Sequence, residues 1–181
     1  MTAFPLTTAR LLLRPFERDD LDVLAALYGD PAVMAYVGDG SVRDREKVWL
    51  GLEKMIAMQE ERGYAPWAVG ECAGGALVGE CGLYPLEGVG PEVELTYTFA
   101  RCVWGKGYAT EAGRAALDYA FTATGLARVI AVVHPENAAS IRVLEKLDMR
   151  ADGVGHYYGA ELVRYTFAAA EWRALGAGRE G

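Results

Sequence analysis

The sequence predicts an α/β domain of the α+β kind, a single mixed but mostly antiparallel sheet flanked by helices, and three observations carry that expectation. Between residues 67 and 99, short apolar or alternating runs broken by Gly and Pro read as neighbouring strands, joined closely enough for antiparallel pairing. Segments near 44–62, 108–124 and 138–147 instead repeat apolar residues at helical spacing. A buried strand-like run, Arg128 to Val133, lies between the last two helices, an alternation that places helices on the faces of the sheet.

In chain order, Leu11-Leu12-Leu13 forms the apolar centre of a first strand within residues 6–16, closed by Arg14-Pro15. Asp19 or Asp20 offers a side-chain oxygen to cap a helix with Leu21, Leu24, Ala25 and Tyr28 on its apolar face, and Gly29-Asp30-Pro31 stops it. A second helix runs from Asp44 to Arg62 with Val48, Leu52, Met55, Ile56 and Gln59 on one side, and Gly63 suits the position just past its end. The strands Trp67-Ala68-Val69, Ala76 to Leu83 and Val93 to Phe99 follow, the first two joined by the turn Cys72-Ala73-Gly74-Gly75. A glycine loop then opens into a helix from Tyr108 to Thr124, whose buried stripe is Ala112, Ala116, Leu117, Ala120 and Phe121, and Gly125 ends it. After the strand at 128–133 come a helix from Ala138 to Leu147 and a last strand from Leu162 to Ala168. Residues 1–181 read as one domain with its core at 8–172.

A length of 181 residues and a hydrophobic content of 52% allow a sizeable core and exclude a disordered chain. No apolar run approaches the roughly 18 to 20 residues of a membrane span. Met1-Thr2-Ala3-Phe4-Pro5 lacks the basic start and apolar stretch of a secretory signal, so a soluble, cytoplasmic protein without a membrane partner is expected. The formal charge of −7 is scattered, which argues against nucleic-acid binding. It suits a cationic substrate, although ordinary solubility explains it better. Cys72, Cys81 and Cys102 have no CxxC or Cys/His spacing, and His134 and His156 are too few for a histidine cluster, so neither a disulfide framework nor a metal site is expected.

The chemistry-bearing segment is Val93-Glu94-Leu95-Thr96-Tyr97-Thr98-Phe99 followed by Trp104-Gly105-Lys106-Gly107-Tyr108-Ala109-Thr110-Glu111-Ala112. Glycine lets backbone pass close to a ligand, and the first helical turn leaves N–H groups unpaired at the positive end of the helix dipole; together they suit a pyrophosphate. Alone, such a loop is equally a tight strand-to-helix turn. A Rossmann fingerprint would need Gly or Ala where Thr110 stands, which disfavours a nucleotide-dependent oxidoreductase, and no Walker loop is present. A second segment, His134-Pro135-Glu136-Asn137-Ala138-Ala139-Ser140, joins a buried strand to an amphipathic helix. There Asn137 and Ser140 suit plain capping and local backbone bonding. The order of these pieces is more specific than any one of them.

These segments, with Thr8-Ala9-Arg10-Leu11-Leu12-Leu13-Arg14-Pro15, Asp30-Pro31-Ala32-Val33-Met34-Ala35-Tyr36-Val37 and Leu144-Glu145-Lys146-Leu147, resemble the GNAT superfamily of N-acetyltransferases, and within it the branch of ribosomal-protein N-terminal acetyltransferases. The likeness spans nearly the whole chain. It implies acetyl-CoA as co-substrate, no metal, and an amine-bearing small molecule or protein N-terminus as partner, with a homodimer compatible. It further implies that the backbone of Tyr97, Thr98 and Phe99 pairs with the pantetheine arm, and that backbone N–H groups of Val103, Trp104, Gly105, Lys106, Gly107 and Tyr108 hold the pyrophosphate. Asn137 would bond the pantetheine chain and Ser140 would lie at the thioester sulfur. The chain departs from the family at Cys102, where Gln or Arg is common, at Asp148-Met149, where Gly-Phe is common, and at Leu144, where other members carry a tyrosine acid. The last departure leaves Ser140, or a water it holds, to protonate the leaving thiolate.

An amine attacks a thioester only as the free base, so a base or a desolvating site is useful. Glu94 is the candidate base, with Glu92 on the same strand face to raise its pKa; the competing reading makes both rim carboxylates. Glu111 suits a structural role at the helix start, and backbone N–H near Tyr97 would meet the oxyanion. Direct transfer is preferred to an acyl-Cys102 intermediate because no histidine is near. Trp67, Trp104 and Trp172 read as core, His134 as structural, and Tyr36, Tyr157 and Tyr158 as loop residues that either line an acceptor cleft or pack. A non-catalytic CoA-sensing module is the rival to an enzyme; the Asn137/Ser140 pair counts against it.

Overall fold

The computed structural model describes residues 4–177, so Met1-Thr2-Ala3 and the last four residues lie outside the described residues. One eight-stranded sheet forms the domain: β1 (Leu6–Thr7), β2 (Leu11–Arg14), β3 (Pro66–Glu71), β4 (Leu77–Pro85), β5 (Val93–Phe99), β6 (Arg128–Val133), β7 (Arg150–Tyr157) and β8 (Ala160–Ala168), in the order β1-β2-β3-β4-β5-β6-β8-β7. Every neighbouring pair is antiparallel except β5 and β6, which run parallel. The helices are α1 (Leu21–Tyr28), α2 (Pro31–Met34), α3 (Arg45–Arg62), α4 (Tyr108–Thr122), α5 (Ala138–Lys146) and α6 (Ala169–Ala177).

Local chemistry accounts for most boundaries. Asp44 caps α3 by accepting the Lys47 N–H at 2.8 Å, and Gly63 ends it in the left-handed region, φ 74°, donating to the Gln59 carbonyl. The expected stripe of α4 is buried against the sheet, while Val48, Leu52 and Met55 of α3 pack with α1 on the other face. Asp20 corrects an expectation. It precedes α1 but makes no capping bond; its carboxylate instead takes Arg14 at 2.8 and 2.7 Å and the Glu17 N–H at 2.9 Å. Asp30, read as part of a stop, caps α2 through the Ala32 N–H at 2.9 Å. Strand β7 was not expected from sequence, because five of its first residues are exposed and Gly153 and Gly155 interrupt any alternation.

The functional consequence of this topology lies at the parallel pair. Strands β4 and β5 are registered over seven residues, whereas β5 and β6 share a single matched pair, Glu94 with Ile130. Beyond it the two strands splay, leaving the backbone edge of Thr96, Tyr97 and Thr98 facing Val132 and Val133 across a notch instead of a ladder. Helix α5 is fixed beside that notch by Leu144 and Leu147, both buried, and a Cβ on Gly113 of α4 would stand 2.8 Å from Leu147 Cδ1. Close packing of this kind keeps the notch at fixed width.

Candidate active site

A cavity of about 790 Å³ occupies the notch and continues over the α1–α3 face of the sheet. Its floor follows from strand register. Glu80 opposes Thr98, Gly82 opposes Thr96 and Tyr84 opposes Glu94, so alternate residues of β4 and β5 present a polar strip on one face. The residues between them, Leu95, Tyr97 and Phe99, turn toward α4 and α5 and join the main core. Residues 35–40 and Arg43 form one wall, and the tip of the β7–β8 hairpin forms another.

Glu94 is buried, 6% exposed, and its carboxylate accepts a hydrogen bond from the Tyr158 hydroxyl. Burial pushes its pKa up to about 7, the nearby Glu87 charge adds to the rise, and the Tyr158 hydroxyl opposes it. Tyr158 itself is placed by a clasp. Its N–H donates to Glu87 Oε1 and its hydroxyl oxygen accepts the Glu87 N–H, each at 2.9 Å. Tyr158 and Glu87 both have positive φ, 53° and 55°. Such conformations cost about 1–3 kcal/mol each in non-glycine residues and persist only where surroundings impose them. The two-residue turn Tyr158-Gly159, both residues at positive φ, is the tight hairpin type that matches strand twist. Glu80 is also buried, and burial holds its pKa up against the Tyr28 and Thr98 hydroxyls and the Arg43 guanidinium, which lower it.

Across the notch, Asn137 caps α5 by accepting the Ser140 N–H at 3.1 Å, and the Ser140 carbonyl accepts the Tyr97 hydroxyl at 3.2 Å. Asn137, Ser140, Tyr97 and Thr98 all line the cavity. The glycine loop lies beyond β5. Gly105 and Gly107 take φ of 75° and 80°, and the Gly107 carbonyl accepts the Glu111 N–H at 3.1 Å, so the amides of Tyr108, Ala109 and Thr110 have no acceptor within α4. Arg10 stands over the Tyr108 ring at 4.7 Å, donates to the Lys106 carbonyl at 2.9 Å and pairs with Glu111. The loop thus carries unpaired amides, a helix dipole and two cations, Arg10 and Lys106.

Of the expected site residues, the structure brings Glu94, Tyr97, Thr98, Asn137 and Ser140 together around one cavity. Phe99, Val103 and the residues 104–108 form the adjoining loop region, where the Val103, Trp104 and Lys106 amides are engaged in turns with the carbonyls of Ala100, Arg101 and Val103. The Phe99 carbonyl accepts the Trp104 indole N–H at 2.7 Å. Trp104 is 52% exposed and so is not core, unlike Trp67 and the Trp172 that packs on Phe121 and Phe167. Glu92 does not couple to Glu94: it lies before β5 begins and pairs with Arg164 at 2.6 Å, while Glu87 supplies the neighbouring charge. Glu111 has the structural role expected, accepting from Thr8 at 2.6 Å and Arg10 at 2.8 and 2.7 Å. Cys102 is exposed in the turn after β5. Tyr36 and Tyr158 line the cavity, Tyr157 does not, and His134 lies on its wall with its ring 5.1 Å from Tyr36. Glu80, Tyr28, Tyr84, Arg43, Lys54 and Glu87 escape a reading by motif, because strand register and long-range packing alone bring them here. The one usable signal was the alternation of Glu80 and Tyr84 on β4.

Residues 10–150 match the model of the acetyltransferase (GNAT) domain family. The chain is 36% identical over 148 residues to the Bacillus subtilis protein YkkB, covering 80% of this chain and 84% of YkkB. It is 31% identical over 141 residues to the spermidine N(1)-acetyltransferase of Escherichia coli K12, covering 78% of this chain and 73% of that enzyme. The solved structure of an acetyltransferase (GNAT family) from Bacillus anthracis superposes with a TM-score of 0.80 at 27% identity, covering 93% of this chain and 100% of that one. The notch between β5 and β6, the glycine loop and the matched family model agree: this chain is an acyltransferase belonging to the GNAT acetyltransferase family.

Proposed function

We propose that the chain carries an acetyl group from acetyl-CoA to a primary amine by direct attack. The observation that carries this reading is the single matched pair between parallel β5 and β6, which opens a notch lined by Tyr97, Thr98, Asn137 and Ser140 and leading to the glycine loop. An extended pantetheine arm suits the unpaired β5 edge, and a pyrophosphate suits the amides and cations at the start of α4. Glu94 takes a proton from the acceptor ammonium: at a pKa of about 7 it is charged in a useful fraction at neutral pH and still basic enough to compete for that proton. As the new C–N bond forms and the C–S bond breaks, the nitrogen sheds its second proton, which passes through the Ser140 hydroxyl, or a water on it, to the departing sulfur, so that Ser140 ends neutral. The acceptor classes that present such an amine include a protein N-terminus, an aminoglycoside-like antibiotic, a polyamine and an amino acid.

Ser140→Ala tests the assignment at the leaving group. Turnover should fall by roughly 10² to 10⁴, the usual worth of acid assistance, while acetyl-CoA affinity measured by calorimetry stays within a few-fold. Unchanged turnover would reduce Ser140 to a residue of the α5 start. Tight acetyl-CoA binding with no transfer to any amine would favour a CoA-sensing module.

A further inference from the structure

We infer that the acceptor cavity contains a carboxylate subsite built from Arg43 and Lys54, so that the acceptor is an amino acid, an amine that also carries a carboxylate, and not a polyamine. The inference rests on the acetyl-transfer reading and names the substrate class of that same cavity. Arg43 lies just before α3, anchored by its N–H to the Tyr28 carbonyl at 3.0 Å, with its guanidinium over the Tyr28 ring at 4.6 Å. Lys54 lies about two and a half turns into α3, its ammonium 5.4 Å from the Tyr84 ring. Both line the cavity, Arg43 near enough to Glu80 for its charge to act on that carboxyl and Lys54 beside the Tyr84 ring.

Arg43 acts on the buried Glu80 carboxyl, lowering its pKa, without forming an ion pair with it. The ion pairs among the described residues use neither cation. Of the carboxyls lining the cavity, Glu80 is buried, with its pKa raised by burial, and Glu94 is shared with Tyr158. Asp39 is charged at the rim, where the Ser41 N–H and hydroxyl hold it at 3.0 and 2.6 Å. Two cations resting on aromatic faces inside a chain of net charge −7 are therefore a local departure from the protein's own charge. A guanidinium held on a ring keeps its N–H edges for a planar, bidentate partner such as carboxylate. A polyamine's second ammonium would instead meet like charge, which is how a site rejects it.

The test uses the full chain with acetyl-CoA and acceptors matched in length: glycine, β-alanine, 4-aminobutyrate and 6-aminohexanoate against methylamine, ethylamine, butylamine and hexylamine, with spermidine as the polycation. In at least one length pair, kcat/KM for the amino acid should exceed that for the amine by about tenfold or more, the scale of a hydrogen bond to a charged group. That ratio should fall toward one in Arg43→Gln and fall in part in both Lys54→Gln and Arg43→Lys, the latter keeping the charge but not the bidentate edge. Ratios near one throughout, or spermidine as the best acceptor, would overturn the subsite. Calorimetry of the same pairs on CoA-saturated protein reads the subsite without turnover. Amino acids bound about tenfold tighter by a protein that acetylates nothing would keep the subsite and remove the acetyl-transfer reading; equal binding would overturn the subsite on its own.

Discussion

Glu94 occupies a site where burial and function pull against stability. Its pKa in the fold, about 7, lies above the ordinary 4.5, so between those values the folded state holds more protons than the unfolded one. Stability therefore falls as pH rises through that window. Glu94→Gln should remove the fall and raise stability at pH 8, by at most about 3 kcal/mol for a shift of that size, readable as denaturation midpoints at pH 5 and pH 8. The same variant should lose the rise in kcat/KM near pH 7 and drop in maximal turnover by roughly 10² to 10⁴. If only the Michaelis constant for a cationic amine rises, and salt reproduces the effect, Glu94 is a rim carboxylate. Tyr158→Phe removes the hydroxyl that lowers the Glu94 pKa, so the rising limb of the pH profile should move above pH 7. A limb that stays in place would show that Tyr158 does not set the carboxyl.

The glycine loop and the helix it opens act as one element. Gly107 has a φ of 80°, and a Cβ there would stand 3.6 Å from Arg10 Nη2. Gly107→Val should weaken acetyl-CoA binding by at least tenfold while circular dichroism still reports a folded chain, because a β-branched side chain strains the turn and crowds the first-turn amides. Unchanged affinity would move the phosphates elsewhere. This element was legible in the sequence because glycine, an adjacent strand and a helical stripe are all local signals. The extent of α3 and its Gly63 end, the stripe of α4 and strand β6 were legible for the same reason. Helix α2 is only four residues long, and the exposed residues of β7 carry no alternation, so neither left a periodic trace. Glu92 was assigned to the face of Glu94 by counting in twos, but it precedes the strand, where that count no longer applies.

At the scale of the molecule, function depends on a pairing that no local pattern encodes: Glu94 and Ile130, far apart in the chain, are the one register point from which β5 and β6 diverge. The same long-range order brings the β7–β8 hairpin to Glu94 through the Glu87–Tyr158 clasp, and brings Arg43 and Lys54 over the β4–β5 floor. Motifs could suggest which residues meet the co-substrate, whereas the acceptor side is assembled from segments that carry no shared motif. The central claim is that this notch delivers an acetyl group to an amine. The most direct measurement incubates the full chain with acetyl-CoA and a panel of primary amines, following free thiol release and the acetylated amine by mass. The account predicts thiol release in equal amount to N-acetylated product, dependent on the amine and strongly reduced in Ser140→Ala. Thiol release that is independent of added amine, or none in the presence of bound acetyl-CoA, would contradict it.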